Sequence, residues 1–215
     1  MNVRNQLICA HMAPLWAIVT GIGAFMMTSW IPPFSPDIGT EGIAKVFSDN
    51  QLLRVGMALT AFIAPFFCGI AVAVAVQMRR IEGDSHVLSN LQICGALIGT
   101  VELMLPPFFW LAISYRPDMN VDAMAILNDV SWFMFIGGAG PAVMQNIAIG
   151  LCVLGDKSGN GPYPRWFGYF NFWFVLTLMP GVLLPFFFRG PFSWNGIFGF
   201  WVVAIGFFVW LFVVY

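Results

Sequence analysis

Long apolar runs dominate the chain and fall into six segments, 8–31, 53–78, 91–114, 126–154, 166–188 and 195–215, separated by short polar stretches. Each approaches or exceeds the roughly 20 residues a helix needs to cross the hydrocarbon of a bilayer. Inside a bilayer the backbone must satisfy its own polar groups, which segments of this length do as α-helices. The pattern predicts an all-α fold, a polytopic transmembrane bundle of six spans forming a single domain over residues 1–215, with both termini on the same side. The first connection is the longest. It opens Ile31-Pro32-Pro33-Phe34-Ser35-Pro36, which proline spacing is expected to hold extended, and continues into a stretch where Glu41 and Lys45 fall on one helical face. A short surface helix is predicted there.

Local signals place the helix starts. Ser48-Asp49-Asn50-Gln51 and Ser89-Asn90-Leu91-Gln92 both have the form of a capping box ahead of an apolar run, and Asn120 and Ser193 are expected to cap the fourth and sixth spans. Trp16, Trp30, Trp110, Trp166, Tyr163 and Tyr215 lie toward segment ends, where amphipathic rings favour the headgroup level.

Composition sharpens this picture. Sixty per cent of the residues are hydrophobic and 9% are charged, against about 25% charged in a soluble domain. A net charge of −1, with nine lysines and arginines scattered along the chain, leaves no basic stripe for a nucleic-acid backbone. Cys9, Cys68, Cys94 and Cys152 show no CxxC pairing and sit in or beside apolar runs, so free thiols are expected. The first apolar stretch is too long for the core of a signal peptide and reads as an uncleaved span. With the termini inside, Arg4, Arg79, Arg80, Lys157 and Arg165 face inward and Lys45, Arg54, Arg116 and Arg189 outward. This slim majority and the Arg79-Arg80 pair favour cytoplasmic termini. No internal repeat links the two halves, so the inverted-repeat mark of many transporters is absent.

The residue that stands out is Glu102, near the middle of the third span, where a carboxylate costs on the order of 3 kcal/mol and needs a partner. Pro106 and Pro107 offer no N–H to the carbonyls of Glu102 and Leu103, so a carboxyl and two released carbonyls are expected at one depth. In the fourth span, Gly137-Gly138-Ala139-Gly140-Pro141 weakens the helix and frees the Gly137 carbonyl, with Gln145 and Asn146 one turn further on. A hydrogen bond from Glu102 to Gln145 or Asn146 is expected, and Glu102, Gln145, Asn146, Asp129, Gly137 and Pro141 form the candidate ligand site. The plainer alternative is that Glu102 pins two helices together. Asp129 is placed in the first turn of the fourth helix, as an acid on the positive end of the helix dipole or as the mouth of a path to Glu102.

His11, His86, Cys9, Cys94, Cys152 and Asp156 share one membrane face in this topology but show no metal-ligand spacing, so no metal is assigned. GxSxG, Walker and dinucleotide motifs are missing, so no cofactor and no catalytic residue is assigned. Gly21-Ile22-Gly23 reads as a helix-packing feature.

Trp30-Ile31-Pro32-Pro33-Phe34-Ser35-Pro36-Asp37, Gln77-Met78-Arg79-Arg80-Ile81-Glu82-Gly83, Asn128-Asp129-Val130-Ser131-Trp132 and Gln145-Asn146-Ile147-Ala148-Ile149-Gly150 together resemble a group of uncharacterised small bacterial inner-membrane proteins. That resemblance covers most of the chain and implies a bacterial inner membrane and the same six-span plan, with no activity to carry over. Three functions compete. The first is binding or translocation of a small lipophilic molecule in a cavity between helices three and four. The second is a membrane-embedded acid/base enzyme, an isomerase or cyclase, using Glu102 or Asp129 on an apolar substrate. The third is a structural subunit of a membrane complex, such as a homo-oligomer joined through Gly196, Gly199 and Gly206. Membrane lipid is a partner in all three.

Overall fold

The computed structural model describes residues 3–26, 30–48, 51–116 and 118–215, without the side chain of Phe25. Its described residues contain six helical stretches long and apolar enough to cross a membrane: Val3–Ala24, Gln51–Glu82, Val87–Tyr115, Val121–Gly155, Arg165–Phe186 and Ile197–Val214. The first is the least buried within the bundle, and its outward side chains, Leu7, Ile18 and Ile22 among them, suit a lipid surround. The chain is an integral membrane bundle by this measure.

Only two of the spans are essentially one regular helix: α1 (Val3–Met26) and α5 (Val87–Tyr115), the latter continuous through Pro106 and Pro107. The second span joins α3 (Gln51–Ile63) to α4 (Cys68–Glu82) through a 3-10 turn at Ala64–Phe67, where Pro65 cannot donate to the helix. The fourth joins α6 (Val121–Trp132) to α7 (Gly140–Gly155) through a π-turn at Phe133–Gly137 and a break at Gly138 and Ala139. The fifth, α8 (Arg165–Leu178), tightens into a 3-10 helix at Met179–Phe186, and the sixth opens with a π-turn at Ile197–Trp201 before α9 (Val202–Val214). Each irregular stretch contains or adjoins proline or glycine, the residues that release or loosen helical hydrogen bonds.

Several boundaries move. The first span runs about five residues nearer the N-terminus than its apolar run suggests, and residues 30–33 form a turn in place of an extended strand. The surface helix exists as α2 (Gly39–Phe47), which lays Ile43 and Phe47 against the bundle and packs on α6. Glu41 and Lys45 make no ion pair; Arg189 of the last loop instead pairs with Asp37 at 2.6 Å, just ahead of α2.

The helix starts are also revised. Asn120 caps α6 as expected, accepting from the N–H groups of Asp122 and Ala123. The Ser89 box does not form. Ser89 already lies inside α5, and the Glu82 carboxylate reaches across the turn to accept from the N–H groups of Leu88 at 2.6 Å and Ser89 at 2.9 Å. Ser193 lies ahead of the sixth span and donates to the Gly190 carbonyl, while the Pro191 carbonyl receives the first N–H groups of that span. Asp49 and Asn50 of the other box lie outside the described residues.

Close contacts between backbones hold the bundle. A Cβ on Gly23 would sit 2.6 Å from Thr60 Oγ1 and 2.8 Å from the Gly56 carbonyl, so Gly23 of the Gly21-Ile22-Gly23 motif seats α1 on α3, whereas Gly21 packs against nothing there. Gly206 meets Thr177 of α8 in the same way, and Gly196 and Gly199 lie on the carbonyls of residues 190–193. The glycines expected to serve an oligomer face are therefore used for packing inside the chain. The four cysteines are free thiols.

A central cavity with one acid

A cavity of about 240 Å³ lies at the centre of the bundle, and all six spans contribute to its wall. It is therefore not confined to the interface of the third and fourth spans. Trp16 from α1, Phe67 before α4, Phe174 from α8 and Phe207 and Trp210 from α9 form its apolar sides. At the end away from the termini, Trp30, Trp110 and Trp132 form an aromatic floor, with ring centroids 4.0 to 5.3 Å apart, and Trp132 stacks on Trp194. Trp16, Trp30 and Trp110 are thus core residues, each under 5% exposed, and not interfacial anchors. Their place near segment ends in the sequence hid this, because a loop folding back over the bundle buries a ring as effectively as a span does. Trp166 and Tyr215 remain exposed near span ends.

Glu102, Gln145 and Asn146 all line this cavity, but they do not meet. A Cβ on Gly95 would lie 2.7 Å from the Pro141 carbonyl and 3.0 Å from Gln145, whereas one on Gly138 would lie 3.0 Å from the Glu102 carboxyl carbon. The antiparallel register thus sets Gln145 opposite Gly95 and Glu102 opposite Gly138, about 10 Å apart along the axis at 1.5 Å per residue. The expected hydrogen bond from Glu102 to Gln145 or Asn146 is absent for that reason. Gln145 Nε2 donates to Gln92 Oε1 at 3.4 Å, and Gln92 Nε2 donates to the Ala71 carbonyl at 2.7 Å, tying spans two, three and four together. Gln92 looked like part of a helix cap in the sequence; its place in the interior depends on α5 starting four residues before the apolar run.

Asn146 Nδ2 donates to the Ala142 carbonyl, while its Oδ1 is buried without a partner. Glu102 is half-buried against the gap at Gly138, and among the described residues no side chain or backbone N–H reaches its carboxyl. Trp30, Trp110 and Trp132 each carry a buried indole N–H with no acceptor among the described residues. Polar atoms left unpaired in an interior are costly and call for explanation.

Gly137 and Pro141 shape the break without lining the cavity, whose wall takes Gly138, Ala139 and Ala142 instead. Asp129 is not in the first turn of its helix. That helix begins at Val121, so Asp129 sits about 12 Å along it, half-buried, with Asn128 Nδ2 3.4 Å from its Oδ1. The dipole argument applies to Asp122 instead. Asn171 is a structural link: it donates to the Phe167 carbonyl and accepts from Trp210 Nε1 at 3.1 Å, joining α8 to α9.

Comparisons with protein-family models, curated proteins and solved structures found no match. The resemblance to bacterial inner-membrane proteins therefore rests on the quoted stretches alone. Among the described residues, no group of three His, Cys, Asp or Glu side chains is placed to hold a metal ion.

Proposed function

We propose that this integral membrane protein binds, or carries across the membrane, a small lipophilic molecule held in the central cavity. The observation that carries this reading is the combination of an apolar, aromatic-walled space at mid-bundle with Glu102 on its wall, to which none of the described residues donates. A concave apolar site with a few polar groups is the usual form of a small-molecule pocket. An ionisable group within a membrane span is costly to keep and is by default a functional residue. A bacterial inner membrane with cytoplasmic termini is the setting we infer from the quoted stretches and the loop charges.

The acid/base enzyme is the weaker alternative. Glu102 is the one titratable side chain among the described residues of the cavity wall, whereas proton transfer in both directions calls for a second group within reach.

The test is native mass spectrometry of protein released from nanodiscs, comparing the wild type with Glu102→Gln and Asn146→Ala. The expected wild-type particle retains a small-molecule adduct that both variants lose while keeping their helical circular dichroism. An adduct-free wild type, or variants that retain it equally, would refute the reading.

A further inference from the structure

The bundle is a ring of helices with one seam unlike the others. Around it, α1 packs on α3 and α4, α4 on α5, α5 on α7, α7 on α8 and α8 on α9, through extensive backbone contact. Between α1 and α9, among the described residues, the backbones share no such surface. Long side chains bridge the two instead: the Tyr215 hydroxyl lies 2.8 Å from His11 Nδ1, and the rings of Trp16 and Phe207 are 5.6 Å apart. This antiparallel register places Gly21 and Ala24 alongside residues 200–204. At that level the side chains shrink, with Gly21 and Ala24 on one edge and Ala204 on the other, and all three line the cavity. A Cβ on Gly21 would meet nothing within 4 Å. Gly21 also lines a groove on the outer, lipid-suited face of α1, with Ile18, Ile22 and Met26, that reaches Leu52 of α3 on its other side. The same glycine therefore borders both the interior space and the exterior surface.

The shape of the interior space limits what would fit. Its wall runs from Gly99 to Trp110 on α5 and from Phe200 to Trp210 on the last span, a length of about 15 to 17 Å at 1.5 Å per residue. That equals one leaflet, about half of the roughly 30 Å hydrocarbon thickness. An apolar cavity of about 150 Å³ takes a compact ring such as benzene. Here about 240 Å³ is drawn out over a much greater length, leaving the width of a single hydrocarbon chain.

We propose that the cavity holds one linear hydrocarbon chain, the acyl chain of a membrane amphiphile, and that the chain arrives sideways from the bilayer through the seam between α1 and α9 at Gly21, Ala24 and Ala204. This rests on the reading of the cavity as a binding site, and adds the chemical class of ligand and its route. Glu102 lies about 4.5 Å from the Gly99 end of that wall and about 12 Å from Trp110, at the gap opposite Gly138. The aromatic floor of Trp30, Trp110 and Trp132 closes the far end.

The experiment uses the full-length protein in nanodiscs and two photoreactive probes: a C16 fatty acid carrying a mid-chain diazirine, and compact adamantane diazirine. Labelled peptides are located by mass spectrometry. The expected result is fatty-acid label on the peptides bearing Trp16 and Glu102. In Gly21→Trp, whose added ring occupies open space, the rate of that labelling falls about tenfold, while label on lipid-facing Phe212 is unchanged. Interior label that Gly21→Trp leaves unaltered would overturn the lateral route. Interior label from adamantane diazirine alone would overturn the chain ligand and leave the binding reading standing. Interior label from neither probe would remove both.

Discussion

Glu102 and Asn171 are both polar side chains within spans, and the structure gives them opposite characters. Asn171 has a donor and an acceptor contact, one of them to Trp210 on the neighbouring helix. Interhelical bonds of this kind contribute on average about 0.6 kcal/mol and at most about 1.7. Asn171→Leu should therefore destabilise the bundle by about 1 kcal/mol in a reversible unfolding titration, leaving ligand retention unchanged. Glu102 has no hydrogen-bond partner among the described residues. Replacing it by leucine removes an acid that costs on the order of 3 kcal/mol to keep at mid-membrane, so Glu102→Leu should raise the melting temperature while abolishing ligand retention. A fall in melting temperature would mean that Glu102 has a structural role. Outside the spans, Asp37 is exposed and accepts from the Ser35 hydroxyl, and Arg189 pairs with it. The Ser35 hydrogen bond, and then the Arg189 charge, hold its carboxyl below the usual 3.8. A carboxyl depressed in the folded state contributes stability above its unfolded pKa and loses it as pH falls through the folded value. Protection of α2 amides from exchange should thus weaken only on acidification below 3.8, and Arg189→Ala should move that loss upward in pH.

Elements were read from the sequence with uneven success, for reasons that lie in particular residues. Six apolar runs sufficed to define six spans, because transfer into hydrocarbon leaves a helix as the one open solution for each. The proline and glycine at 137–141 marked the break in the fourth span. What a single run cannot encode is its register against a neighbour. Glu102 and Gln145 each sit near mid-span in their own segments, yet the close approach of Gly95 to Pro141 slides the two helices so that they miss one another. The Glu82 cap of α5 was equally hidden, since it depends on a chain reversal at 83–86 that brings a carboxylate back over the helix start. The register is itself testable. Gly95→Leu would push its side chain into the Pro141 carbonyl and Gln145, and overpacking of this kind costs about 1 to 3 kcal/mol. Gly21→Leu, two spans earlier and facing open space, should cost far less in the same unfolding titration.

At the scale of the whole molecule, an even number of spans returns the chain to its starting side, and the contact between His11 and Tyr215 shows the two ends adjacent. Epitope tags at either end should be digested by protease from the same side of sealed vesicles, and tags digested from opposite sides would contradict the six-span fold. The candidate cavity was only half legible beforehand. Its acid, its two amides and the helix break could be named from the chain, but its walls come from six distant segments and its aromatic floor joins Trp30 of a loop to Trp110 of α5 and Trp132 of α6, a convergence that periodicity does not reveal. The irregular backbone is also unevenly distributed. The turn at 30–33, the π-turn and break at 133–139, the 3-10 stretch at 179–186 and the π-turn at 197–201 lie at mid-bundle or in the half away from the termini. Regular helix, bonded mostly four residues back, fills most of the other half. The protein is thus firm on the side of its termini and less regular in the half that holds the aromatic floor and the seam at Gly21, Ala24 and Ala204. Thermal motion, and any widening needed to admit or release a guest, will gather in that half, where the fewest backbone bonds have to break.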